Sequence, residues 1–132
     1  MVVRISLMVL RTCVLLAVIL GILFWIGVVS PTENSPQLAV HMLLGLLVVL
    51  SLAIIGVALL LTGRRGLGLG ILAIAWAALV LYVGSNQDSQ IPSLFPGISQ
   101  TVIKIVHLLL GLLSGAVGEM AARRYKSIRK GK

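Results

Sequence analysis

The chain has 132 residues, enough for one domain. It is 59% hydrophobic and 11% charged, with mean hydropathy +1.15, whereas soluble domains carry roughly a quarter charged residues. A soluble core of this size cannot hide so much Leu, Val and Ile, so lipid is the solvent for most of the chain; the net charge of +8 does not by itself point to a nucleic-acid partner, and none is expected.

Four apolar spans are predicted, which makes the chain an all-α membrane protein, a four-helix transmembrane bundle. The first span covers about residues 5–29, with Arg4 and Arg11 at its start. Its basic start is that of a signal peptide, but the run is long enough to cross a bilayer and no Ala-x-Ala site follows, so it reads as a retained span. Cys13 is the only cysteine, which excludes an intramolecular disulfide, a CxxC pair and the thiol-relay membrane enzymes. It reads as a small apolar residue of a membrane helix. A polar turn from Ser30 to Pro36 follows, in which Ser35 and Pro36 supply a capping hydroxyl and a proline at the first helical position.

The second span covers about residues 36–61 and stops at the basic turn Thr62-Gly63-Arg64-Arg65-Gly66. The third covers about residues 67–83. Gly66, Gly68 and Gly70 at its start are no dinucleotide fingerprint, because no strand precedes them; Gly66 and Gly70 are expected to permit close helix packing. The connection at residues 84–98 is the longest. Its first half is polar, and its second half is apolar but broken by Pro92 and Pro96, so it is expected to lie on the membrane surface or over the mouth of the bundle. The fourth span covers about residues 99–122, and a basic cytoplasmic tail occupies 123–132.

Orientation follows from the lysines and arginines. Arg4, Arg11, Arg64, Arg65 and the six basic residues of the tail share one side if the spans alternate, while Glu33 and Asp88 lie in the opposite loops. Both termini are therefore expected in the cytoplasm, and Trp25 and Tyr82 near the outer ends of their spans suit interfacial aromatics. The tail reads as an anchor on anionic lipid headgroups, or as a docking segment for a partner protein. The expected location is a bacterial inner membrane, crossed several times.

Val40-His41-Met42-Leu43-Leu44-Gly45-Leu46-Leu47 is echoed at Val106-His107-Leu108-Leu109-Leu110-Gly111-Leu112-Leu113, and these are the only two histidines. Leu-rich segments match one another easily, so the informative part is the shared His-x-x-x-Gly. Spans two and four run the same way. His41 lies roughly 7–8 Å into its span and His107 roughly 12 Å, at 1.5 Å per residue. Both are expected in the outer half of the bilayer, facing each other across the bundle.

An imidazole in lipid needs a partner. A hydrogen bond to a neighbouring helix, a metal in a porphyrin held between the two rings, and a chlorophyll-type magnesium on each ring all satisfy that need. Side chains point back toward the helix N-terminus, so Gly45 and Gly111 lie one turn below their histidines on the same face. Glycine there clears room for a flat macrocycle; small-x-x-x-small helix packing, continued through Ser114, Gly115 and Gly118, is the rival explanation. Lys104 lies one turn above His107 on the same face, where it reaches an outward-directed propionate or snorkels to the headgroups.

These two stretches and the four-span layout resemble the small four-helix membrane cytochromes b, including the cytochrome b561 type. The resemblance implies haem b ligated by His41 and His107, with Gly45, Gly111 and Lys104 around it, in a membrane electron carrier. Families with two haems use four histidines, so two imply a single haem near the outer face. Two imidazoles on one iron leave no open position, which suits electron transfer rather than oxygen binding. Such a chain is expected to be a small subunit of a larger respiratory or photosynthetic assembly, with other membrane subunits or redox proteins as partners. A quinone at the 85–98 connection is left open, and the alternatives are a bacteriochlorophyll-binding subunit or a cofactor-free structural accessory.

Among the remaining residues, Glu119 is the only acid inside a span and is expected to pair with Arg123 four residues on. Trp76 is open to two kinds of role, against a cofactor or, more commonly for such a residue, in lipid or core packing. The small multidrug transporters share the four-span length but resemble a pattern with a membrane-embedded Glu in the first span, which has none here. No Ser-His-Asp set, paired carboxylates or phosphate loop is present, so hydrolysis has no support.

Overall fold

A computed structural model describes residues 1–30, 32, 35–86, 91 and 96–131. Within them lie four long helices, α1 (Val2–Trp25), α2 (Pro36–Leu60), α3 (Leu67–Asn86) and α4 (Gln100–Lys130), with a short 3-10 turn at Gly63–Arg65. All four are long and apolar enough to cross a membrane, and they pack as a multi-pass helical bundle. Helices suit this solvent because they satisfy their own backbone hydrogen bonds where no water is present.

Local sequence sets most of the helix ends. Ser35 and Ser99 cap α2 and α4, their hydroxyls accepting hydrogen bonds from the Leu38 and Val102 amides at 3.3 and 3.4 Å. α1 stops at Trp25, short of the residue 29 expected from hydropathy alone. The reason is Gly27, whose φ of +75° lets the Val28 amide reach back to the Leu23 carbonyl and its own amide to Phe24. Apolarity does not protect a helix from a glycine terminator of this kind.

Two other ends differ from expectation in the opposite direction. α3 continues three residues past Val83 to Asn86, so Gly84 is helical and does not open the connection; Ser85 Oγ donates to the Leu81 carbonyl at 2.7 Å and Asn86 Nδ2 to the Tyr82 carbonyl at 2.8 Å. α4 runs on through the basic segment to Lys130, so most of the expected tail is helix packed on the bundle. Ile128 is buried with Val3 in the core, and Arg124 Nε donates to the Arg65 carbonyl at 3.2 Å. These contacts gather the N-terminus, the α2–α3 turn and the end of α4 at one end of the bundle. Residues 87–90 and 92–95 of the 84–98 connection, together with Glu33, fall outside the described residues, and with them lies the expectation of where that connection runs.

The packing is uneven along the bundle axis. Buried residues on α1 lie between Val3 and Cys13, on α2 between Val48 and Leu59, and on α4 mostly from Ser114 onward. All three sets lie toward the basic end. Small residues close that end: a methyl group added to Gly56 would stand 2.9 Å from the Gly70 carbonyl oxygen and 2.8 Å from Ile74 Cγ1, and one on Gly70 would stand 2.9 Å from the Gly56 carbonyl. The α2 and α3 backbones therefore touch where these glycines meet. On α4, Gly118 receives the fully buried Leu10 of α1. Gly70 thus has its expected packing role, whereas Gly66 serves the turn, pressed against Leu59 and Thr62.

Glu119 also belongs to this end. Its carboxylate binds Arg11 of α1, and Arg123 stands farther off at 3.8 Å. The expected local pair is thus secondary to one that ties α1 to α4. Gly56→Val should lower unfolding stability in detergent by about 1–3 kcal/mol, because backbone rather than a flexible tip must move. Gly68→Ala, which meets no neighbour within 4 Å, should leave it unchanged or slightly raised; thermal melts followed by circular dichroism compare the two.

Candidate functional site

Away from the basic end Val80, Val83 and Ile103 are still buried, but beside them the bundle opens into a hollow. A cavity of about 430 Å³ lies between α1, α2 and α4, with Val80 of α3 behind it. This is within the roughly 300–1,000 Å³ of small-molecule and cofactor sites. α1 contributes a small-residue wall through Ala17 and Gly21, with Phe24 and Trp25 toward the helix end, and α2 adds Leu38 and Val48. Val14 and Val48 form the side nearest the packed core.

The two histidines meet in this cavity. The rings of His41 on α2 and His107 on α4 have centres 6.3 Å apart and planes inclined at 56°. Their helices run in the same direction, so similar depth along each brings the rings together. Phe24 stands edge-on to His41 with ring centres 5.5 Å apart. The Nδ1 atom of His41 is buried and has no hydrogen-bond partner among the described residues.

The glycines divide into two sets. Gly45 and Gly111 line the cavity, and a methyl group on either would meet nothing within 4 Å, so their faces are bare. At Gly111 the small face of α4 opens to the cavity, while farther along Gly118 takes Leu10. The second set is Gly21 and Gly84, which the sequence reading did not single out. A methyl group on Gly21 would lie 3.5 Å from His41 Cε1; one on Gly84 would lie 3.2 Å from His107 Cε1 and 3.8 Å from its Nδ1. Each imidazole edge thus rests on a glycine of a neighbouring helix. No spacing rule reveals this, because the contact crosses from one span to another.

Lys104 lines the cavity and is otherwise exposed. Among the described residues it is the only Lys or Arg of the lining. Trp76 is not part of that lining: it packs against the core, and its Nε1 donates to Ser114 Oγ at 3.2 Å and to the Leu110 carbonyl at 3.4 Å. Ser114, fully buried, in turn donates to Leu110 at 2.8 Å. These bonds tie α3 to α4 immediately below Gly111.

The site offers two imidazoles, two bare glycine faces and one cation inside an apolar chamber. Among the described residues no group of three His, Cys, Asp or Glu side chains gathers around a metal position. No family model, curated protein or solved structure matches the chain.

Substitutions at the glycines separate the two sets. Gly45→Ala and Gly111→Ala should keep or slightly raise unfolding stability, since each removes a flexible helical glycine and meets open space. Gly84→Val should lower it by about 1–3 kcal/mol by displacing His107. Detergent-phase thermal melts of the three variants read the difference.

Proposed function

We propose that this protein is a membrane electron carrier that holds one haem b between His41 and His107. The observation that supports it most is the 6.3 Å between the imidazole centres. Ring bonds of about 1.3 Å put each nitrogen about 1.1 Å from its ring centre. Metal–imidazole bonds are about 2.0–2.1 Å, as at zinc. Two imidazoles in line on one metal therefore stand about 6.3 Å apart. One magnesium per histidine, as in the bacteriochlorophyll alternative, requires room for two macrocycles, so the spacing favours a single shared metal.

In this reading each residue has a task. His41 and His107 would hold the haem iron from both sides, and one-electron transfer is the chemistry that haem would supply when bound. Gly45 and Gly111 leave bare backbone against which a flat ring would fit. Lys104, on the cavity lining, would offer its ammonium to a propionate. Val14, Phe24 and Val48 keep the chamber apolar, and the Gly21 and Gly84 contacts set the orientation of the imidazoles.

Orientation is inferred from charge. Arg64, Arg65, Arg123 and Arg124 lie at the end that holds both termini, and positive residues favour the cytoplasm. The histidines then occupy the outer leaflet of a bacterial inner membrane. A single site in one leaflet does not carry an electron across the whole bilayer. The chain therefore acts as a small subunit beside other membrane subunits or redox proteins of a respiratory or photosynthetic complex.

The visible spectrum of protein purified from cells supplied with haem tests the reading. Reducible haem bands are expected, and His41→Ala and His107→Ala should each remove most of the haem. Far-red bands would mark a bacteriochlorophyll protein, and a colourless product a cofactor-free accessory. Lys104→Gln should keep the spectrum and lower the midpoint potential by some tens of millivolts, since lost positive charge favours the oxidised iron; about 59 mV corresponds to a tenfold change in a one-electron equilibrium.

A further inference from the structure

A second hollow lies at the opposite, basic end, and it is independent of any cofactor at the histidines. It is a groove of about 800 Å³ between α2, the start of α1 and the last turns of α4. The groove exists because α4 continues as helix beyond its apolar stretch and brings Tyr125, Ile128 and Arg129 back against the bundle. One wall is an apolar strip of α2 that includes Leu50, Ala53, Ile54, Val57 and Leu61. From Leu50 to Leu61 this strip is roughly 16 Å long at 1.5 Å per residue. One leaflet of a bilayer core is about 15 Å deep.

The end of the groove is polar and positive. Arg129 lines it, its guanidinium 5.9 Å from the Tyr125 ring centre and its Nη1 3.5 Å from the Tyr125 hydroxyl. Thr62 lies at the same end. Among the described residues Glu119 is the only acid, and its ion pairs are with Arg11 and Arg123. Among the described residues no carboxylate pairs with Arg129, and Arg64, Arg65 and Arg124 add to the field at this end. An apolar trough one leaflet deep, with a guanidinium at its headgroup end, matches an acyl chain joined to a phosphate.

We propose that this groove is a binding site for one anionic phospholipid, with an acyl chain along α2 and the phosphate on Arg129. The site is more selective than a general attraction of basic residues to a charged surface, because it combines a shaped apolar wall with one placed cation.

Native mass spectrometry of the detergent-purified chain tests this, with added phosphatidylglycerol or phosphatidylcholine of the same acyl chains. The expected result is one retained phosphatidylglycerol, held in preference to phosphatidylcholine. Arg129→Gln, a change at an exposed position, should weaken that lipid about fivefold, the effect of about one interfacial charge. Ala53→Phe, which fills the trough and keeps every charge, should also reduce retention. Equal retention of both lipids by the wild-type chain would overturn the proposal, as would undiminished retention in Arg129→Gln. Displacement by soluble glycerol phosphate would overturn the acyl-chain part. A second copy of the chain bound in place of lipid, seen as a dimer lost in Ala53→Phe, would overturn it in favour of a protein contact.

Discussion

Contact between backbones at the basic end of the bundle is the constraint on which the rest depends. In lipid there is little hydrophobic force to press helix against helix, so close fit must hold them together. Gly56 and Gly70 let α2 and α3 touch, and Gly118 gives Leu10 of α1 a seat on α4. The Arg11–Glu119 pair and the Arg124 bond to the α2–α3 turn work at the same end. Because the helices are secured there, they need not close at the other end. The cavity around the histidines is the space that this one-ended packing leaves.

Placement of the histidines follows from the same geometry. α2 and α4 are parallel and both anchored at the basic end, so residues at similar distances from that anchor meet. The rings are then held laterally by Gly21 and Gly84, while Gly45 and Gly111 keep the space beside them open. Bulk at the first pair disturbs the imidazoles, and bulk at the second fills the chamber. Four glycines, alike in sequence, therefore divide into supports and clearances. The Trp76–Ser114 bond fixes α4 directly below this chamber, so the floor is firm where the packed core begins.

The two hollows differ in chemistry as well as position. The one at the histidines contains two imidazoles and lies away from the basic end. The one along α2 contains no such group and ends on an arginine. A cofactor is the reading proposed for the first and a structural lipid for the second. Keeping them at opposite ends separates the site proposed for redox chemistry from the site proposed for anchorage.

Much of the architecture was legible in the residues themselves. Apolar runs and basic turns mark four spans, and their alternation makes α2 parallel to α4, so the sequence alone pairs His41 with His107. Gly45 and Gly111 were legible too, because a residue four places along a helix shares a face. What required the tertiary structure are contacts between helices and helix ends set by local geometry. Gly27 ends α1 inside an apolar run that hydropathy reads as continuous. The basic segment continues as helix because Ile128 finds a buried place against α1, which composition does not reveal. Glu119 takes Arg11, 108 residues away, ahead of Arg123 on its own helix, since adjacent helices bring distant residues closer than one helical turn does. Hydropathy and spacing thus determine which segments cross and which faces align. Only the packing of specific small residues decides where the bundle closes, where it stays open, and what each glycine does.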